Sequence, residues 1–209
     1  MNRIVVIGAG GHARSVCDIL MRDSENEIVG LIDKPGAKGF WGLEVLGDDE
    51  CLPELLKEGL ATHAFVALGD NRHRRKLAER LCSLGYLMVN AISPHAVISA
   101  HACLGRGIAL MPGAIIGPNA VIGDGSVVNT NASVDHDAKI GPFCHIAPGS
   151  TLCGTVCVAD EVFVGAGARV IDSVSIGEGS IIGSGAAVVR DIPAHCTAVG
   201  VPARVIKYH

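Results

Sequence analysis

AIIGPNAVIGDGSVVNTNASVDHDAKIGPFCHIAPGS, residues Ala114–Ser150, is the stretch that decides the fold. An aliphatic side chain returns at every sixth position: Ile116, Ile122, Val128, Val134, Ile140 and Ile146. Followed outward, the beat runs from Ile92 to Val188 through 17 consecutive positions without an insertion. Four places after the aliphatic the residue is mostly small, as at Ala114, Ala120, Ser126, Ala132 and Ala138. An α-helix repeats near 3.6 residues and a flat strand at two, so neither fits. A parallel β-helix wound from hexapeptides does, and the left-handed form is expected. Each hexad turns one aliphatic and one small residue inward. The Gly that often follows the aliphatic, as at Gly117, Gly123, Gly141 and Gly165, is expected to supply the backbone freedom of the turns.

The rest of the composition agrees with this core. Of 209 residues 49% are apolar but only 3% aromatic, which suits stacked Val, Ile, Ala and Cys. No apolar run is long enough for a membrane span, and Met1-Asn2-Arg3 leads into a buried-strand pattern with no signal peptide. A net charge of −4 without a basic patch points away from nucleic acid and anionic membranes as partners. The eight Cys are scattered, and Cys153-x-x-x-Cys157 lacks a second pair, so no metal is expected. A reducing, cytoplasmic compartment is the simplest for so many thiols.

Ahead of the repeats the pattern changes to α/β. Arg3–Ile7 reads as a strand, Gly8-Ala9-Gly10-Gly11-His12-Ala13 as a Gly-rich turn, and Arg14–Arg22 as a helix. A second strand, Ile28–Ile32, ends at Asp33, about 20 residues past the glycines, in the G-x-G-x-x-A form of a dinucleotide fingerprint. A third, Ala64–Leu68, runs through Gly69-Asp70-Asn71 into a basic helix from Arg72 to Ser83. A helix N-terminus beside glycines receives phosphate. About 85 residues hold only half of a two-part dinucleotide fold, so a single nucleotide fits better than NAD; a packing module that binds nothing is the other reading. Arg72, Arg74, Arg75 and Lys76 read as a solvated face. The expected domains are 1–86, a Rossmann-like half-domain, and 87–209, the β-helix.

One hexad departs from the bland repeat: Val134-Asp135-His136-Asp137. Imidazole titrates near neutrality, and an adjacent carboxylate fixes its tautomer and strengthens it as a base. If three hexads make one coil, residues 18 apart stack about 4.8 Å from each other. Gly154 then lies over His136, while Pro148, Ala166 and Ser184 form a column on another wall. Two outward columns on different walls line one pocket only when prisms pack side by side. The expectation is a cyclic trimer with its active sites at the interfaces.

At this point the chain resembles the bacterial sugar acetyltransferases of the left-handed β-helix class that carry a Rossmann-like N-terminal half-domain. These include nucleotide-amino-sugar N-acetyltransferases and sialic-acid O-acetyltransferase-like proteins. The resemblance rests on Gly8-Ala9-Gly10-Gly11-His12, Leu68-Gly69-Asp70-Asn71-Arg72, Val134-Asp135-His136-Asp137, His145 and Gly200-Val201-Pro202-Ala203-Arg204. It implies that His136 is the general base and Asp137 its carboxylate. It places acetyl-CoA on His145, Gly154, Ala166 and Ser184, with the Gly154 N–H polarising the thioester carbonyl. It places the sugar nucleotide on Gly8, Gly10, Gly11, His12, Asp33, Lys34, Gly69 and Asn71. Asp33-Lys34 stands where many relatives have two acidic residues, and Gly69-Asp70-Asn71 where they have Gly-Asn-Asn, which leaves uracil and guanine both open as the base. The implied reaction is direct acetyl transfer from acetyl-CoA to the amine of a UDP- or GDP-linked 4-amino-4,6-dideoxy sugar for a surface glycan, with no metal. Transfer to a sugar hydroxyl is the nearest rival. A zinc hydratase on the same fold would need a third His beside His136 and His145, and a bare scaffold would have no use for an oriented base.

Overall fold

A computed structural model describes residues 1–209, which divide into two compact units, Met1–Ile92 and Ser93–His209. The boundary falls at Ile92 rather than at residue 86, because Leu87–Met88 pairs with a strand of the first unit.

The first unit is built on β1 (Asn2–Ile7), α1 (Gly11–Leu20), β2 (Asn26–Ile32), β3 (Val45–Gly47), α2 (Leu52–Lys57), β4 (His63–Val66), α3 (Asn71–Leu84) and β5 (Leu87–Met88). Its five strands form a parallel sheet in the order β3-β2-β1-β4-β5. Ile4, Val5, Val6, Leu31, Ile32 and Phe65 are buried, as expected of strands covered on both faces. The order reverses between β1 and β4, so the turns after these two strands flank a topological switch point, where open α/β sheets bind ligands. The helix α1 has Gly10 at its N-cap and so no side-chain cap. The helix α3 is capped by Asp70, whose carboxylate accepts the His73 N–H at 2.7 Å, and it stops at Gly85, in the left-handed region at φ 104°.

The second unit, Ser93–His209, is the β-helix, wound from two-residue parallel strands in three sheets. Its two-residue strands pair residues 18 apart: Ile115 with Ser133, Lys139 with Cys157, and His145 with Phe163. Each coil therefore has three walls. The first carries Ile115–Ile116, Ser133–Val134 and Thr151–Leu152, the second Val121–Ile122 and Lys139–Ile140, and the third Val127–Val128 and His145–Ile146. The aliphatic and small residues of the beat are the core: Ile116, Ile122, Val134, Ile146, Ala120, Ala132 and Ala138 are all buried. Where the small residue is Ser, its hydroxyl donates to a corner carbonyl, as from Ser150 Oγ to Gly165 O at 2.9 Å. A final antiparallel strand, Arg204–Tyr208, closes the third wall against Cys196–Val199.

The glycines of the repeat do a different job from the one expected. Gly117, Gly123, Gly141 and Gly165 have no left-handed backbone; they are small because the next coil's backbone presses on them. A Cβ on Gly117 would meet the His136 nitrogen at 2.7 Å. The left-handed residue comes two places later, at every sixth position from Gly107 to Gly185. Half of these positions are Gly and the rest include Asn119, Asn131 and Asp137, whose short polar side chains tolerate that region.

Candidate active site

The corner between the first and second walls carries Asp135, His136, Asp137 and Ala138. Asp135 Oδ1 accepts the His136 backbone N–H at 2.7 Å, which pins the turn. Asp137 takes the left-handed position, φ 57°, and its Oδ2 accepts from His136 Nδ1 at 2.9 Å. That bond fixes the proton on Nδ1 and leaves Nε2 as the basic nitrogen. The hydrogen bond that His136 donates to Asp137 raises the His136 pKa above its ordinary value, and the charges of Asp135, Asp137 and Asp172 add to it. Asp137 is held below its own ordinary value by His136 and by Asn119, whose Nδ2 donates to Asp137 Oδ1 at 3.1 Å.

Gly154 lies against the imidazole, as the register requires. A Cβ there would fall 2.5 Å from His136 Cε1 and 2.6 Å from Nε2, so no other residue leaves the ring in place. The Gly154 N–H donates to Asp172 Oδ1 at 3.1 Å. The donor assigned to the thioester carbonyl thus already has an acceptor one coil up, and reaches an acyl oxygen only by sharing or releasing it.

The second expected column also stacks. Gly167 N donates to Pro148 O at 2.9 Å and Gly185 N to Ala166 O at 2.8 Å, which places Pro148, Ala166 and Ser184 on one edge. That edge joins the third wall to the first, so within one chain it does not share a corner with His136. His145 lies on the third wall, buried, with Phe163 at its ring edge, centroids 5.2 Å apart. Its Nε2 is 3.1 Å from Asn129 Nδ2. Because Asn129 Oδ1 accepts the Thr130 N–H at 2.8 Å, the Asn129 amide presents its NH₂ to His145, and the proton of that imidazole sits on Nδ1.

In the first unit the expected residues gather where β1, β2 and β4 end. Gly8 is left-handed, φ 113°, and a Cβ on it would sit 3.0 Å from Ala67 O. The Asp33 carboxylate accepts the N–H groups of Ala9 and Lys34, both at 2.7 Å, so it ties the ends of β1 and β2 together. Space is open beside Gly10, Gly11 and Gly69. A cleft of about 440 Å³ runs past Gly8, Asp33, Lys34, Leu68, His73 and Arg80. His12 is held neutral at pH 7: burial, and then the charge of Arg74, lower its pKa to about 4.

Arg74 is the main departure from the sequence reading. Instead of facing solvent it is 1% exposed, and its guanidinium donates to Leu68 O at 3.0 Å, Gly69 O at 3.4 Å and Asn71 Oδ1 at 2.8 Å. It moulds the turn in which Gly69 and Asn71 lie. Arg74→Met keeps much of the volume and strands those acceptors, so equilibrium denaturation is expected to show a loss of about 2–3 kcal/mol. An unchanged midpoint would mean that the turn holds its shape without the guanidinium.

Residues 3–81 match the PglD N-terminal domain, and residues 120–154 match the bacterial transferase hexapeptide repeats. The chain is similar to a perosamine N-acetyltransferase from Caulobacter crescentus, solved with CoA and GDP-perosamine in a form with one histidine replaced by Asn. That match has 42% identity, 99% of this chain and 98% of the other covered, and a TM-score of 0.95. It is also similar to the acetyltransferase domain of PglB from Neisseria gonorrhoeae FA1090, solved with acetyl coenzyme A. There the identity is 35%, the coverage 99% and 100%, and the TM-score 0.90. Among curated proteins a serine acetyltransferase from Synechococcus elongatus is 45% identical over 75 residues, 32% of this chain and 31% of that protein. The chain spans less than a third of the length of the curated relatives it matches, 31% and 22% in two of them. The two solved structures are instead matched over nearly all of both chains. The chain belongs to the bacterial sugar acetyltransferases that join a PglD-type N-terminal domain to a left-handed β-helix of hexapeptide repeats.

Proposed function

We propose that the chain transfers the acetyl group of acetyl-CoA to the amine of a nucleotide-linked 4-amino-4,6-dideoxy sugar destined for a surface glycan. One observation carries the reading: an imidazole set by a carboxylate against a bare Gly154. The fold around it is shared over nearly its full length with an N-acetyltransferase solved with CoA and GDP-perosamine.

In the reaction His136 Nε2 removes a proton from the attacking amine as nitrogen bonds to the thioester carbonyl. The C–S bond then breaks, the acetamide carbonyl re-forms, and the proton on His136 passes to the departing thiolate. The Gly154 N–H supports the oxyanion in place of its bond to Asp172. Acetyl-CoA takes His145, Gly154, Ala166 and Ser184. The sugar nucleotide takes Gly8, Gly10, Gly11, His12, Asp33, Lys34, Gly69 and Asn71, with its phosphates at the amide N–H groups that open α1.

Because the Ala166–Ser184 edge and the His136 corner are separate edges of one prism, a neighbouring copy completes each site. The working form is a homotrimer with its sites at the interfaces. No helix is long and apolar enough to cross a membrane, and eight free thiols suit the reducing cytoplasm.

The test is CoA release by purified protein from acetyl-CoA with UDP- and GDP-4-amino sugars, and separately with free sialic acid. Turnover with the amino sugars supports the reading. Acetylation of a hydroxyl acceptor alone moves the chain to O-transfer, and no release with any acceptor ends the proposal. Only neutral His136 accepts a proton. Since its pKa is raised, kcat/KM should climb with pH along a limb centred above about 6.5. A limb below that value removes His136 from the role of base.

A further inference from the structure

Asp137 has two oxygens, and its usefulness to His136 depends on which of them faces the ring. The carboxylate stands on an exposed corner, 48% accessible, where nothing in the core constrains its rotation. What constrains it is the coil below. Asn119 lies 18 residues earlier, so it stacks beneath Asp137 on the same edge, and the two share the left-handed backbone, φ 59° and φ 57°. Their side chains leave the corner in the same direction, which brings Asn119 Nδ2 to 3.1 Å from Asp137 Oδ1. The Asp137 backbone is fixed as well, its N–H donating to Pro118 O at 3.0 Å. With Oδ1 held from below, Oδ2 is left to His136 Nδ1 at 2.9 Å.

We infer that Asn119 is a positioning residue of the reaction: through Asp137 it sets the tautomer and orientation of the His136 imidazole. The inference rests on the proposed role of His136 as base. The chain Asn119 to Asp137 to His136 runs up the edge from one coil to the next. Its members need not be neighbours in sequence, only a coil apart. An amide is suited to the first place, because it donates to the carboxylate without bringing a charge. A carboxylate there would repel Asp137, and a longer side chain would overshoot a partner one strand spacing away.

The structure also supplies the test. Seven other positions with the same left-handed backbone, Gly107, Gly113, Gly125, Gly149, Gly167, Gly179 and Gly185, carry glycine. Asn119→Gly therefore removes the amide without straining the corner. Asn119→Asp keeps the shape and removes the donor. In both variants kcat is expected to fall about threefold to tenfold with KM for acetyl-CoA and for the sugar nucleotide unchanged, less than a full charged hydrogen bond is worth because water can replace the amide on this exposed corner. In Asn119→Gly the acid limb of kcat/KM moves to lower pH, because the bond from His136 to Asp137 that raises the imidazole is loosened. The other carboxylates facing the ring, Asp135 and Asp172, stay in place and keep part of the rise.

Titration of the His136 ring by NMR reads the same change without any substrate. A lower His136 pKa in Asn119→Gly than in wild type supports the inference even if the chain proves to have another acceptor. Wild-type kcat, pH profile and ring titration in both variants overturn it. Loss of folding in Asn119→Gly alone is answered by Asn119→Asp, which leaves the backbone preference intact.

Discussion

Replacing His136 by Ala is expected to lower kcat by about 10²–10⁴-fold while both KM values stay close to wild type. The side chain is 53% exposed and makes its one recorded polar contact with Asp137, so its loss leaves no hole in the prism and no stranded buried group. Folding should be untouched. What disappears is the group that takes the amine proton as nitrogen bonds to the thioester carbonyl, and that proton must then pass to solvent. Hydroxide can take that proton in place of the imidazole, so the defect should shrink as pH rises. Steady-state rates from pH 6 to pH 9 check both halves. Turnover near that of the wild type across the range would take His136 out of the reaction.

The second large effect is expected at Gly154. The imidazole occupies the space a side chain would take there: an added methyl would stand 2.5 Å from Cε1. Gly154→Ala forces the ring off its bond with Asp137, or the corner apart. A displacement near 1 Å in such a site costs roughly 10²-fold in rate. Gly154 is not left-handed, so Ala strains no dihedral angle, and the loss should appear in kcat with the melting temperature little changed. Activity within a few-fold of wild type would mean that the imidazole works from another position.

The β-helix was legible because its constraint is one-dimensional. Side chains 18 apart must stack, so counting alone placed Gly154 over His136 and put Ala166 and Ser184 on an edge of their own. The same count locates Asn119 under Asp137 and Asp172 beyond Gly154, residues that a search for chemistry near His136 in sequence passes over. Counting says nothing of dihedral angles, so it does not show that the glycines after each aliphatic serve close packing rather than the turn. They are conspicuous in the sequence, yet the left-handed place is shared among Gly, Asn, Asp and even Phe143 and Thr155, so no one residue type marks it.

The first unit was legible in its strongest periodic segments and blank between them. β3 has three residues and α2 six, too few for a pattern to show, and both fall in the stretch between Asp33 and His63. Arg74 hides its role for a different reason. Among Arg72, Arg75 and Lys76 it looks like one more solvated cation, and only the turn that folds back over α3 supplies the carbonyls that bury it.

Partners along each edge of the prism are set by arithmetic, so the β-helix carries something like a reading frame. An insertion of 18 residues adds one winding, disturbs only the seam and lengthens the rod by about 4.8 Å. An insertion of six rotates everything downstream by one face and would carry the imidazole away from its carboxylate's support. A slip of one residue exchanges inside for outside. Chains of this kind can therefore vary in length only in quanta, and a catalytic edge survives duplication or deletion only when whole windings come and go.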